Sequence, residues 1–271
     1  MKACKEEKAE LLLIAGDLFH RQPLLRELKE VNDLFQTLGS SQVVLAAGNH
    51  DYLKRDSYYR TFAWGENVHM ILGGQISAVE LPELSTAVYG LSYYSKEITD
   101  RLYDQAFPMK RQKYEILLAH GGDERHIPIQ KEKLRSLGYD YIALGHIHKP
   151  LDMDGRNIMH KGVNGCPSEQ FCESRMAYSG ALEPIDKNDT GPHGYILGEL
   201  TKECCRIRFV PCALREYVHM EVMTEKKMTN RGLKARIREQ IEASGTQNIY
   251  KVTVKGFRDP DILFELSDMD T

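Results

Sequence analysis

Short apolar runs separated by polar segments mark the first 200 residues of the chain. They lie at residues 11–15, 43–46, 68–72, 88–91, 116–119, 141–144 and 195–197. Uninterrupted apolar runs of this length are typical of strands buried on both faces in an α/β domain. We therefore predict an α/β fold for this part of the chain.

Helical spacing appears between the first two runs. Apolar residues recur there at three- and four-residue intervals, after Pro23 and before Gly39, at Leu24, Leu28, Val31, Phe35 and Leu38. Proline suits the first turn of a helix and glycine its end, so the pattern predicts a strand-helix-strand unit. Weaker patterns predict two further helices, at residues 95–106 and 129–137.

The pattern changes after Pro211. Residues 218–222 and 250–254 alternate apolar and polar positions, and Leu233, Ile237 and Ile241 between them have helical spacing. We predict one domain over residues 1–212 and a small second domain over residues 213–271. The polar, glycine-rich stretch 152–175 is predicted to be a long loop or insertion.

Composition places the chain among ordinary globular proteins, with 42% hydrophobic and 28% charged residues. No run approaches the ~18 apolar residues of a membrane span, and the first apolar run is too short for a signal peptide. We expect a soluble, cytoplasmic protein. The net charge of −3 gives no general attraction to nucleic acid. Contact with DNA would then need local basic patches or metal ions.

Chemistry-bearing residues follow four of the apolar runs directly. The four clusters are Gly16-Asp17, Gly48-Asn49-His50-Asp51, His120-Gly121-Gly122 and Gly145-His146-Ile147-His148. Carboxyl ends of strands are where α/β proteins gather ligand sites. A carboxylate, an amide oxygen and several imidazoles suit manganese, iron or zinc better than calcium. Together the clusters predict a metal site, although Asp17 alone could be a turn residue and His120 alone a core histidine.

These residues give the chain a recognisable pattern. It resembles the calcineurin-like metallophosphoesterase superfamily and, within it, the SbcD-like and YhaO-like DNA-repair exonucleases. The narrower resemblance rests on residues 15–19, 145–150, 178–184 and 193–195. It implies a sandwich of two mixed β-sheets flanked by helices. The tail resembles the family's small α+β capping domain only in pattern.

The resemblance also implies a two-metal site. Asp17 would bridge two divalent ions, expected to be Mn²⁺. Asn49, His120 and His146 would complete one ion, and His148 would bind the other. Spacing alone leaves open whether His146 and His148 share an ion. The ions would activate a water that attacks the phosphate.

The resemblance also implies catalytic roles for two further residues. His50 would stabilise the scissile phosphate or protonate the leaving oxygen, and Asp51 would orient its imidazole. The implied substrate is DNA, and the implied partner is a coiled-coil ATPase of the SbcC type. A homodimer is a further arrangement that we keep open.

The chain departs from the family pattern at its start. Relatives begin with a strand followed by Asp-x-His, and no such motif precedes Leu11. We expect a lost N-terminal segment, with a degenerate paralogue as the alternative, and an incomplete C-terminal domain. His20 stands where many relatives have a second aspartate, and we expect it to support the site or face solvent.

Basic residues of the predicted tail helix share one face through their spacing: Lys227, Arg231, Lys234 and Arg238. Such a face could hold a DNA backbone, or it could simply be solvated. His126 has the same two interpretations, phosphate contact or a solvated loop. Two rival functions stay open: a small-molecule phosphodiesterase or nucleotide hydrolase, and a catalytically silent DNA-binding or scaffold subunit.

Overall fold

The structure is a computed structural model that describes residues 1–153, 171–257 and 260–261. These residues form two compact units, one of residues 1–180 and 195–210 and the other of residues 181–194 and 211–271. Most of the predicted insertion at 152–175 lies outside the described residues. Among the helices that the structure describes, none is long and apolar enough to cross a membrane.

The first unit contains most of the strands. In chain order its elements are α1 (Lys2–Glu6), β1 (Leu11–Ala15), α2 (Leu25–Gln36), β2 (Gln42–Ala46), β3 (Val68–Ile71), β4 (Ser77–Leu81), β5 (Thr86–Gly90), β6 (Tyr114–His120), α3 (Lys131–Ser136), β7 (Tyr141–Gly145), β8 (Leu151–Asp152), β9 (Cys172–Glu173), β10 (Met176–Tyr178), β11 (Gly194–Leu200) and β12 (Cys205–Pro211). Each of the seven apolar runs falls within or overlaps one of these strands, as predicted.

Two sheets of the first unit pack face to face. One has the order β1-β2-β3 and is parallel throughout, and the other has the order β4-β5-β6-β7-β10-β8 and is mixed. Buried side chains from both sheets, including Val44, Val88 and Leu118, form the layer between them. The predicted α/β sandwich is confirmed, but only the larger of these two sheets is mixed. A third sheet of order β11-β12-β9 completes the unit.

Helix α2 covers the outer face of the parallel sheet. Its buried Leu28 and Phe35 belong to the stripe that predicted the helix, and Gly39 follows it with φ 65°. The helix predicted at 95–106 is wrong, because this segment forms turns and one bridge. Ile98 exchanges backbone hydrogen bonds with the chain at Arg125 (2.9 Å) and Ile127 (2.7 Å), which removes those groups from a helical pattern.

The second unit contains β13 (Tyr217–Thr224), α4 (Asn230–Ser244) and β14 (Ile249–Gly256). The two strands pair in parallel, so α4 is the crossover between them, as the alternating and helical patterns predicted. Val222 and Leu233 are fully buried. The placement of Lys227 on the helix is wrong: Thr229 caps α4 by accepting from the Gly232 amide, and Lys227 lies in the preceding turn.

Candidate metal centre

Four predicted ligands converge at the carboxyl ends of strands from both packed sheets. Asp17 follows β1 by two residues, Asn49 follows β2 by three, His120 ends β6 and His146 comes directly after β7. Strand β1 packs against β6 and β7 across the sandwich. The fold thus brings together side chains that are up to 129 positions apart in the sequence.

The donor atoms of these residues are separated by the distances expected of ligands to a single ion. His120 Nε2 lies 3.3 Å from Asp17 Oδ2 and 2.9 Å from Asn49 Oδ1. His146 Nδ1 lies 3.1 Å from the same Asn49 oxygen. Ligands about 2.1 Å from an octahedral ion are about 3 Å apart. The set of one carboxylate, one amide oxygen and two imidazoles therefore fits a divalent transition metal.

His120 is held so that one particular nitrogen faces the other ligands. Its ring is 1% exposed, and its Nδ1 lies 2.8 Å from the Ala15 carbonyl oxygen. A carbonyl only accepts, so Nδ1 carries the proton and Nε2 presents its lone pair. Two tyrosine hydroxyls, from Tyr93 and Tyr103, donate to the His120 carbonyl at 3.1 and 3.2 Å.

Glycines make room for this arrangement. A Cβ on Gly16 would lie 2.3 Å from His120 Nδ1, and one on Gly48 would lie 2.2 Å from Asp17 Oδ1. Asp17 and His146 themselves have left-handed backbones, with φ of 50° and 95°. Such conformations cost about 1–3 kcal/mol in residues other than glycine and cluster at functional sites.

Asp17 has the electrostatics of an ionised ligand. Burial by itself would raise the pKa of Asp17, but the His120 ring, when it also carries a proton on Nε2, and the amide of His50, which donates to Oδ1 at 2.8 Å, lower that pKa overall. The carboxylate is thus negatively charged at neutral pH, as a metal ligand must be.

Asp51 is fully buried and joins the loops that follow β1 and β2. Its carboxylate accepts hydrogen bonds from the Gly48 amide (2.8 Å), the Phe19 amide (3.3 Å) and the Tyr59 hydroxyl (2.8 Å). Burial, with the charge of Asp17, raises the pKa of Asp51 to about 6. The hydrogen bonds that the structure gives Asp51 do not include one to the His50 ring, so its orienting role stays a prediction.

His50 is partly exposed beside the ligands. Its ring stacks on that of His20, with 4.1 Å between centroids and 25° between planes. Burial lowers the pKa of His50, while the charge of Asp17 opposes the change. His20, expected to support the site or face solvent, is an exposed residue in contact with this candidate catalytic histidine.

The structure does not group His148 with the other ligands. Among the described residues, one group with metal-binding geometry comprises Asp17, His120 and His146, and another comprises Asp123, His126 and His146. His148 is half-buried and belongs to neither. Its assignment to a second ion stays a prediction.

Sequence reasoning missed Asp123. Its carboxylate lies 2.8 Å from His146 Nε2 and 2.8 Å from His126 Nδ1. The available signal was its position three residues after His120, behind two glycines. His126 proves to be bound to this carboxylate rather than simply solvated.

Comparison with known proteins adds a family and three relatives. The calcineurin-like phosphoesterase family matches residues 1–150. The DNA double-strand break repair protein Mre11 of Methanocaldococcus jannaschii is 27% identical over 198 residues, which are 70% of this chain and 50% of that protein. The uncharacterized metallophosphoesterase YhaO of Bacillus subtilis is 27% identical over 248 residues, 84% of this chain and 55% of that protein.

The third relative is the SbcD component of the nuclease SbcCD of Staphylococcus epidermidis. It is 24% identical over 193 residues, which are 58% of this chain and 51% of that protein. The chain thus spans about half the length of the curated relatives it matches.

Proposed function

The chain belongs to the calcineurin-like phosphoesterase family, and from this premise we propose that it hydrolyses phosphodiester bonds in DNA with two divalent metal ions, preferentially Mn²⁺. The observation that carries the proposal is the convergence of Asp17, Asn49, His120 and His146 with donor atoms 2.9 to 3.3 Å apart. His148 is proposed as a ligand to the second ion.

The residues of the chain have separate tasks in this proposal. When bound, the ions would polarise the phosphate and lower the pKa of a water that serves as nucleophile. The His50 ring, partly exposed beside the ligands, would hydrogen-bond a phosphate oxygen or protonate the leaving oxygen. Asp51 would hold the loop that carries Asn49 and His50, since it accepts from the Gly48 amide.

DNA is the proposed substrate class because two relatives carry names that point to it or to nuclease activity. One is a DNA double-strand break repair protein, and another is a component of a nuclease. We propose that this chain likewise works with a partner protein, of the SbcC coiled-coil ATPase type. We further propose that residues 213–271 form a capping domain whose helix contacts the DNA backbone through Arg231, Lys234 and Arg238.

A substrate comparison tests the proposal. Purified protein with Mn²⁺ would be given a linear DNA duplex, a single strand and a cyclic nucleotide, and initial rates would be compared. We expect cleavage of DNA, its loss in His120→Ala, and its retention in His69→Ala. His69 is a matched histidine control because its ring hydrogen-bonds the side chain of Gln42, which begins β2, whereas Asn49 follows the other end of that strand. Turnover of the cyclic nucleotide alone would establish the small-molecule rival, and binding of DNA without hydrolysis would establish the scaffold rival.

A further inference from the structure

Asp123 and His126 form a hydrogen-bonded chain that ends on His146. The His126 Nδ1 lies 2.8 and 2.9 Å from the two Asp123 oxygens, and Asp123 Oδ2 lies 2.8 Å from His146 Nε2. The rings of His126 and His146 also touch, with 4.6 Å between their centroids. Neither Asp123 nor His126 belongs to the predicted ligand set.

This chain of hydrogen bonds determines which nitrogen of His146 is free. A neutral imidazole has one N–H group, and in His146 this group is at Nε2, where it donates a hydrogen bond to the Asp123 carboxylate. Nδ1 then presents its lone pair, and this is the atom that lies 3.1 Å from Asn49 Oδ1. His120 has the opposite arrangement, since its Nδ1–H donates to the Ala15 carbonyl and its Nε2 presents the lone pair.

The loop that carries Asp123 is itself fixed in place. The Arg125 amide donates to Asp123 Oδ1 at 2.8 Å, and the Gly122 amide donates to the His126 carbonyl at 2.9 Å. The Tyr178 hydroxyl donates to the Gly121 carbonyl at 2.9 Å. A carboxylate on a loop held at three points can hold a ring at a defined angle.

We propose that Asp123, anchored by His126, is a positioning residue that holds His146 in the Nε2-protonated form, so that Nδ1 binds the metal shared with Asn49 and His120. The proposal rests on the metal site of the proposed function, not on its substrate. Carboxylates behind metal-binding histidines typically contribute 10- to 100-fold in metal affinity.

A spectroscopic test needs neither metal nor substrate. Long-range ¹H–¹⁵N correlation spectra of ¹⁵N-histidine-labelled, metal-free protein report which ring nitrogen carries the proton, with His146 assigned from a His146→Gln spectrum. We expect His146 to be protonated on Nε2, and Asp123→Ala to give a mixture of tautomers. Protonation on Nδ1 in the unmodified protein, or an unchanged spectrum in Asp123→Ala, would overturn the proposal.

A metal titration gives the second measurement. Calorimetry with Mn²⁺ should show affinity weakened about 10- to 100-fold in Asp123→Ala, with a smaller loss in His126→Ala. Glu97→Ala is the matched control, because Glu97 pairs with Arg125 on the same loop and its loss removes the same charge without touching His146. Asp123 is 48% exposed, so its replacement leaves the core intact, and circular dichroism checks this.

Two results of the titration would contradict the proposal. An equal loss of affinity in Glu97→Ala would mean that Asp123 acts only through its charge. If Asp123→Ala bound one ion fewer, and the affinity for the remaining ion were unchanged, Asp123 and His126 would hold an ion of their own. Absence of DNA cleavage with normal titrations would instead contradict the proposed function and leave the role of Asp123 standing.

Discussion

Tyr59 lies behind the candidate site and hydrogen-bonds to a buried carboxylate within it, that of Asp51. Its hydroxyl donates to Asp51 at 2.8 Å, and both side chains are almost fully buried. Because burial already raises the pKa of Asp51 to about 6, the ionised form depends on every donor that it has. The aromatic ring also packs in the cluster formed by Leu28, Ala47 and Leu53.

The first prediction is that Tyr59→Phe destabilises the metal-free protein by about 1–3 kcal/mol at pH 8, since it leaves a buried carboxylate short of one donor. The loss should shrink at pH 5. Because the pKa of Asp51 in the folded protein is about 6, its carboxyl group is mostly protonated at pH 5 and ionised at pH 8. The missing hydrogen-bond donor costs most when the carboxylate is ionised, so the destabilisation is larger at pH 8. Urea unfolding at both pH values measures this. Tyr58→Phe, on an exposed neighbour, is the control. A loss equal to that of the control would contradict the prediction.

His50 gives a second prediction at the same scale. His50→Ala should lower phosphodiester turnover by about 10²-fold or more, because a positioned acid or charge stabiliser is lost. The affinity for Mn²⁺ should stay within a few-fold of that of the unmodified protein, because His50 hydrogen-bonds Asp17 through its backbone amide, which the substitution keeps. Rates and Mn²⁺ titrations on the same preparation separate the two effects. Normal turnover with both ions bound would remove His50 from the catalytic residues.

The candidate ligands lie close together because the carboxyl ends of their strands lie close together. Strands β1 and β7 approach so closely at their carboxyl ends that a Cβ on Gly145 would lie 1.9 Å from the Ala15 carbonyl oxygen. Gly145 immediately precedes His146, and Ala15 is the acceptor that orients His120. A change at this contact would therefore shift both candidate imidazole ligands, His120 and His146.

The third prediction follows from this contact. Gly145→Ala should destabilise the protein by about 1–3 kcal/mol, because the backbones must separate, and it should also weaken Mn²⁺ binding. Gly73→Ala is the control, since its new Cβ would meet nothing closer than 3.4 Å. Thermal unfolding and metal titration of both variants provide the measurement. Full stability in Gly145→Ala would show that the two strand ends can separate without cost.

Helix α4 carries the fourth prediction. Arg231 and Arg238 are exposed and lie seven positions apart, two turns along the helix. If they contact DNA phosphates, the double variant Arg231→Glu/Arg238→Glu should weaken duplex binding at every sequence and reduce the salt-dependence slope by about 2. Lys2→Glu/Lys5→Glu, with the same charge change on α1, is the control. Equal weakening in both variants would indicate a general charge effect.

At the scale of the whole molecule, the sequence predicted the sandwich and indicated four candidate ligands for one physical reason. Buried strands are read from apolar runs, and the residues that follow them must meet where the strands end. The candidate ligands Asp17, Asn49, His120 and His146 were selected in this way, the structure brings them together, and the family comparison confirms the resemblance from which their roles are inferred. Asp123 was missed because its position after His120 and two glycines is a weak local signal, and its contact with His146, 23 residues later, is made only in the folded chain.

The same limit explains the wrong helix at 95–106. Local spacing favoured a helix, but the backbone of Ile98 pairs with a segment about 30 residues later, and local patterns do not report such pairing. Lys227 was wrongly placed on helix α4 because the N-cap was overlooked. The Thr229 side chain caps the helix, which therefore begins at Asn230. Non-local pairing and capping thus account for both errors.

The last prediction concerns how metal binding stabilises the molecule. An ion that binds only the folded first unit adds about 2.7 kcal/mol when its concentration is 100 times the dissociation constant. For a unit of this size that corresponds to a rise in melting temperature of roughly 5 to 10 °C. Mn²⁺ should produce this rise, and Ca²⁺ should produce less, because two of the four converging donors are imidazoles. His120→Ala should abolish the rise, and His69→Ala should keep it. Scanning calorimetry with and without metal measures all three proteins, and a full rise in His120→Ala would place the ion away from Asp17, Asn49 and His146.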